Sequence, residues 1–97
     1  MAAYVLVDVE VFDAEAFAKY RKLGVPTIAA HGGRVLARSD EVVVLEGEWS
    51  PSRMVVLEFD DLEAARRWHG SAEYQAARRL RIDAADTRSI ALASLAT

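Results

Sequence analysis

The sequence predicts an α+β fold in the order βαββαβ, with a four-stranded antiparallel sheet and both helices on one of its faces. Two observations support this fold class. Stretches of alternating apolar and polar residues, typical of strands, occur near both ends of the chain and in its middle. Two stretches with helical spacing separate them, each preceded by an aspartate that can cap a helix. The 97 residues fit a single domain, assigned to positions 1–97.

The first strand is predicted over YVLVDVEV, residues 4–11, where one face carries only valines. A helix follows, because Asp13 can accept hydrogen bonds from the free amides of a first turn. Its apolar spacing is expected to be interrupted at Gly24-Val25-Pro26 and to end at Gly32-Gly33.

The middle of the chain predicts a hairpin and a third main strand. RVLARS and EVVVLEGEW, residues 34–39 and 41–49, flank a polar turn, so that 41–49 supplies an extra short strand. RMVVLEFD, residues 53–60, is apolar on both faces and predicts the next strand.

The second helical region and the last strand complete the pattern. Asp60 or Asp61 caps a helix that breaks at Gly70-Ser71, and Ser71 can cap a further helical piece. TRSIALASLA, residues 87–96, alternates as a final strand does. The complete order suits the split βαβ, ferredoxin-like arrangement.

Composition excludes several function classes. The net charge of −3 and the lack of a glycine-aromatic pattern on the middle strand argue against a nucleic-acid partner. Without cysteine and with only two, widely separated histidines, no metal or haem site is expected. Gly32-Gly33 lacks the pattern of a nucleotide-binding turn, so we expect no cofactor.

Asp8 and Glu10 interrupt the first apolar stretch, which argues against a signal peptide or membrane span and favours a cytoplasmic protein.

One face of the sheet is left without a helix. The valine face of the first strand is expected beneath the helices, so the other face exposes Tyr4, Leu6, Met54 and Val56. Such a patch exceeds what monomers usually leave in water. Pairing two such faces contributes on the order of 10 kcal/mol, before association costs of comparable size. A symmetric homodimer through the sheet faces is therefore expected.

Four segments resemble a known family over essentially the whole chain. They are AYVLVDVEV, AFAKYRKLGVPTIAAHGGRVL, LEGEWSPSRMVVLEFDD and WHGSAEYQAARRLR. They are similar to the small bacterial proteins called domain of unknown function thirteen-thirty. The resemblance implies the dimeric α/β-barrel superfamily, whose ferredoxin-like subunits pair sheet to sheet. That superfamily includes cofactor-independent monooxygenases, isomerases, lactonizing enzymes, haem-dependent enzymes and stress proteins, so the resemblance implies no catalytic residue.

Asp8 and Glu58 are the first catalytic candidates. If the first and third strands are neighbours, both carboxylates lie on the face turned toward the partner, where a buried pair raises at least one pKa and can supply a general base. The alternative is that Arg34, Arg53 or Arg88 neutralises them inside the dimer.

The aromatic residues around the second helical region are the ligand-binding candidates. The break at Gly70-Ser71 lets Trp68 and Tyr74 converge on the gap between helix and sheet, and Tyr20 can face the same gap. The alternative is that they fill the core. His31, at the end of the first helix, is a third catalytic candidate, either stabilising the helix end or acting as an acid or base at the pocket mouth.

The remaining charged and aromatic residues are given structural roles. Arg78, Arg79 and Arg81 cannot all face one way on a helix, and a solvated face is favoured over a phosphate site. Trp49 is expected to contact the partner or cover a pocket. Two functions stay open: binding or converting a small, partly apolar molecule without metal or nucleotide, or a non-enzymatic structural or regulatory homodimer.

Overall fold

The computed structural model describes residues 1–95 and contains one antiparallel sheet covered on one face by helices. The elements are β1 (Ala3–Val11), α1 (Ala14–Ala30), β2 (Arg34–Ser39), β3 (Arg53–Phe59), α2 (Leu62–Gly70), α3 (Ala72–Arg81) and β4 (Ala85–Ala93). The strand order is β2-β3-β1-β4, so the first and third strands are central neighbours. The structure confirms the ferredoxin-like arrangement, with α2 and α3 together in the place of the second helix.

The helices begin at the residues predicted to cap them. The side chains of Asp13, Asp61 and Ser71 each accept a hydrogen bond from the backbone amide three residues later, at 3.1, 2.7 and 3.2 Å. Each bond satisfies an amide that has no partner within its own helix. The boundary between α2 and α3 is therefore set by Ser71, as the sequence predicts.

α1 ends in a Schellman turn. The amide of Gly33 donates to the carbonyl of Ile28 at 2.8 Å, and the amide of Gly32 to that of Ala29 at 3.0 Å. Gly32 has φ 78°, a conformation that favours glycine. Pro26 lies inside α1 and does not interrupt it, which corrects the sequence prediction. A proline removes one amide donor, and burial of the turn beyond it, including Ile28, offsets that local cost.

The predicted extra strand over residues 41–49 is wrong, because these residues form no strand. The turn before it does form, with the Ser39 hydroxyl accepting from the amide of Glu41 at 2.9 Å. β2 then pairs with β3, and the apolar run is left without a partner strand, with Leu45 91% exposed. We call residues 40–52 the arm. Near its end Trp49 Nε1 donates to the Asp8 carboxylate at 2.8 Å, which ties the arm to the helix-free face of the sheet.

The two faces of the sheet differ by residue parity along β1 and β3. Odd-numbered residues face the helices and form the core, in which Phe59 and Leu57 are the largest fully buried side chains. The Trp68 ring of α2 packs on Phe59, with centroids 5.3 Å apart. Even-numbered residues form the other side, which we call the open face, where Leu6 lies opposite Val56 in β3.

Candidate ligand-binding site

A cavity lies between the sheet and the helices. It leaves about 80 Å³ for the centres of water-sized molecules, several times the roughly 10–15 Å³ that one water requires. Its floor consists of apolar residues on the helix-facing side of β1 and β3, namely Val5, Val7, Val9, Val55 and Leu57. Alternation along the two central strands therefore builds an apolar surface under the helices.

Tyr20, Trp68 and Tyr74, the predicted ligand-binding residues, all line this cavity. The hydroxyl oxygens of Tyr20 and Tyr74 are 2.9 Å apart, within hydrogen-bonding distance. The ring centroids of Trp68 and Tyr74 are 4.4 Å apart, across the break between α2 and α3. The structure thus brings the three aromatic residues together, and their contact with a ligand stays a prediction.

The polar atom of Trp68 and the hydroxyl of Tyr20 have different roles. Trp68 is 4% exposed, and its Nε1 donates to the Thr27 hydroxyl at 3.0 Å, so it presents an apolar surface to the cavity. Burial, together with the neighbouring Tyr74, raises the pKa of Tyr20 above its usual range. The Tyr20 hydroxyl therefore stays protonated at neutral pH and adds no negative charge to the site.

Four arginines from different elements also line the cavity: Arg21 of α1, Arg38 of β2, Arg53 of β3 and Arg81 of α3. Its lining includes no carboxylate. Arg53 Nε pairs with Asp40 Oδ1 at 2.7 Å, whereas the other three make no ion pair within residues 1–95. Burial and the nearby cations Arg38 and Arg53 lower the pKa of Arg21. The cavity wall is therefore electropositive.

Three buried polar side-chain atoms in the described part of the chain lack a hydrogen-bond partner. They are Nε of Arg21, Nε of Arg81 and Oγ1 of Thr87, and all three residues line the cavity. Buried polar groups are normally paired, and leaving one unpaired costs about 1–3 kcal/mol. Residues of the cavity lining therefore carry three buried polar atoms that make no hydrogen bond within the described part of the protein.

Asp8 and Glu58 lie on the same face, as predicted, but they do not form a pair. Four residues of β-strand register separate them, or on the order of 13 Å. Glu58 forms an ion pair with Arg34, and Asp8 Oδ2 lies 3.7 Å from Arg88 Nη2. Arg53 faces the helices instead and pairs elsewhere. Each carboxylate thus has its own arginine within the chain, which corrects the expectation of a shared carboxylate site.

His31 does not line the cavity. Its Nδ1 lies 3.0 Å from the carbonyl oxygen of Thr27, and its Nε2 lies 3.7 Å from the Glu73 carboxylate. These contacts connect the end of α1 to α3. His31 therefore lies outside the cavity, and its role as an acid or base stays a prediction.

His69 is the histidine that lines the cavity. Partial burial, followed by the nearby cations Arg78 and Arg81, lowers its pKa below 6.5.

We expect NMR titration of the His69 ring to show a midpoint below 6.5, and Arg78→Gln to raise it. Because the folded pKa lies below the unfolded one, protonation destabilises the fold as pH falls through that midpoint. A midpoint at or above 6.5 in the unsubstituted protein would contradict the effect of these cations.

The sequence predicts neither the cavity arginines nor Thr87 as residues of the site. Arg81 is 9% exposed, so the expectation of a solvated face is wrong for this member of the 78–81 group. A signal was present, because Arg81 follows Tyr74 by seven residues, two helical turns, and so lies on the same side of α3.

Among residues 1–95, no group of three or more histidine, aspartate or glutamate side chains is placed to hold a metal ion. Over the same residues, no helix combines the length and apolarity needed to cross a membrane.

The sequence pattern of the family described as Domain of unknown function (DUF1330) matches residues 2–95. No curated protein matches the sequence. Among solved structures, the chain is similar to a protein of unknown function from Rhodopseudomonas palustris, at 23% identity and a TM-score of 0.78, covering 99% of this chain and 84% of that one.

Two more distant solved structures share the fold. A dimeric ferredoxin-like protein of unknown function from Thermobifida fusca has 15% identity and a TM-score of 0.65, covering 97% of this chain and 92% of that one. SnoaB, a cofactor-independent oxygenase from Streptomyces nogalater, has 12% identity and a TM-score of 0.65, covering 99% and 94%. At these identities the likeness shows the fold alone.

Proposed function

The chain belongs to the family described as Domain of unknown function (DUF1330), and from that premise we propose that it binds or converts a small, partly apolar molecule between sheet and helices. The observation that carries this proposal is the cavity, which combines an apolar floor, an aromatic wall and a few polar groups. That composition is typical of small-molecule sites. A solid interior would favour the alternative, a structural or regulatory homodimer without a ligand.

Access and chemistry both support the proposal. Val25 of α1 and Val35 and Arg38 of β2 line the cavity and are exposed, so a ligand can enter between these two elements. Inside, the paired hydroxyls of Tyr20 and Tyr74 can orient a polar group of the ligand. SnoaB, which shares the fold, is described as a cofactor-independent oxygenase, so this fold can house a conversion that needs no cofactor.

Filling the cavity is expected to abolish binding of a small aromatic probe. Val55 faces the cavity, whereas its neighbour Val56 lies on the open face. We expect Val55→Phe to weaken binding of benzamide, followed by NMR titration, by tenfold or more, because the added ring occupies the space of the probe. Val56→Phe is the matched control and should leave the affinity unchanged. Wild-type affinity in Val55→Phe would place the binding site elsewhere.

We also propose that the protein acts as a homodimer paired through its open faces. Leu6 lies between Val56 and Ile90 in the register of the sheet, and Ile90 is 63% exposed. The arm adds exposed apolar side chains, among them Val43 and Leu45. Apolar surface on this scale favours association, and the similar Thermobifida fusca protein is described as dimeric.

A further inference from the structure

We infer that the ligand of this cavity is a small organic anion, an apolar body that carries one carboxylate held by unpaired donors of the cavity wall, first among them Arg81. This inference rests on the proposed function and adds the charge and chemical class of the ligand. Three structural features support it: unpaired buried donors, an excess of cations in the cavity wall, and the apolar character of the remaining cavity surface.

The unpaired donors of the cavity wall are the groups that can hold the anionic group. Arg81 is more than nine-tenths buried, and its Nε has no hydrogen-bond partner. Its guanidinium lies over the Tyr20 ring, 5.4 Å from the ring centroid, a contact that holds the group in place. This contact leaves Nε of Arg81 as a buried N–H group that no atom of the described residues accepts. Arg21 Nε and the Thr87 hydroxyl are unpaired in the same way.

The charges in the cavity wall favour an anion over a neutral ligand. Of the four lining arginines, one is paired with Asp40, which leaves three cations without a carboxylate partner in residues 1–95. This excess of +3 lies in a protein whose net charge is −3, so the acidic residues are placed elsewhere. A bound anion would offset the burial and the repulsion from Arg38 and Arg53 that together lower the pKa of Arg21. The cations thus lack a counter-charge that a ligand can supply.

The rest of the cavity favours a carboxylate with an apolar body over an inorganic anion. The floor consists of valines and Leu57, and the rings of Tyr20, Trp68 and Tyr74 form the wall. Such a surface favours the hydrocarbon part of a ligand. A fully hydrated ion would lose water against this apolar wall without gaining hydrogen bonds from it. The planar fork of a guanidinium matches the two oxygens of a carboxylate. An aromatic or short branched carboxylic acid satisfies both parts of the site.

A pair of nearly isosteric ligands tests the inference on the unmodified protein. Benzoate and benzamide share size and ring but differ in charge. In NMR or calorimetric titrations at pH 7, we expect benzoate to bind at least tenfold more tightly than benzamide, and sulfate to bind more weakly than benzoate. Arg81→Met should abolish the preference, so that benzoate and benzamide bind with similar affinities. Arg79→Met, an exposed arginine on the same helix, is the matched control and should keep the preference.

The outcomes separate this inference from the proposed function. Equal affinities for benzoate and benzamide would overturn the anion inference and leave the proposed function standing. Failure of both aromatic ligands to bind would overturn both. Sulfate binding as tightly as benzoate would reject an apolar body. If Arg81→Met does not fold, Arg21→Met removes a half-buried guanidinium instead, and an unchanged preference for benzoate in that variant would count against the inference.

Discussion

Replacing Leu6 by lysine is expected to convert the proposed homodimer into monomers. Leu6 lies at the centre of the open face, opposite Val56 on one side and Ile90 on the other. In a symmetric pair of sheets, each copy would bury an ammonium group near the same group of its partner. An uncompensated buried charge costs roughly 3 kcal/mol or more, which raises the dissociation constant more than hundredfold.

Sedimentation equilibrium at micromolar concentration measures this change directly. We expect the wild type to have twice the chain mass of 10.7 kDa, and Leu6→Lys to have that mass alone. Leu23→Lys, on an exposed position of α1, introduces the same charge on the helix side and should remain dimeric. A wild-type mass of 10.7 kDa under these conditions would reject the dimer.

Adding a single methyl group at Gly33 is expected to destabilise the fold by about 1–3 kcal/mol. A Cβ at this position would lie 2.5 Å from a ring carbon of Phe59, and Phe59 is 1% exposed. The ring has little room to move, because it packs against Trp68 and fills the core under α2. The chain needs a glycine here to let α1 turn back into β2 beside the aromatic core.

A double-mutant cycle shows whether this contact is the cause. Urea denaturation should give Gly33→Ala a large loss of stability on its own and a much smaller additional loss in a Phe59→Leu background, where the ring is absent. Gly70→Ala is the control, because a Cβ at Gly70 meets nothing within 4 Å. Additive losses from Gly33→Ala and Phe59→Leu would assign the cost of the methyl group to another contact.

The sequence predicts the strands and helix starts because short-range patterns control them. Alternation places the valines of β1 under the helices, and local side-chain bonds fix the caps at Asp13, Asp61 and Ser71. The predictions of secondary structure fail where contacts between residues distant in the sequence determine the local conformation. The valine run of the arm has strand propensity but no partner strand. Pro26 stays inside α1 because burial of the following turn outweighs a local cost.

For the same reason, the sequence predicts the aromatic residues of the site but not its arginines. Tyr20, Trp68 and Tyr74 carry recognisable apolar and polar parts, so their convergence follows from the positions of the two helical regions. The arginines reach the cavity wall from α1, β2, β3 and α3, through packing that local spacing does not describe. Arg81 is the exception, since its distance from Tyr74 along the helix places both on one side.

Residue parity on β1 and β3 has a consequence for redesign of the protein. Val55 and Val7 face the cavity, while the adjacent Val56 and Leu6 face away from it. A library that randomises only positions 7 and 55 would therefore change the proposed ligand preference while leaving the opposite surface intact, and one that randomises positions 6 and 56 would do the reverse. The proposed ligand site and the proposed dimer surface can thus be varied independently, although a single layer of backbone separates them.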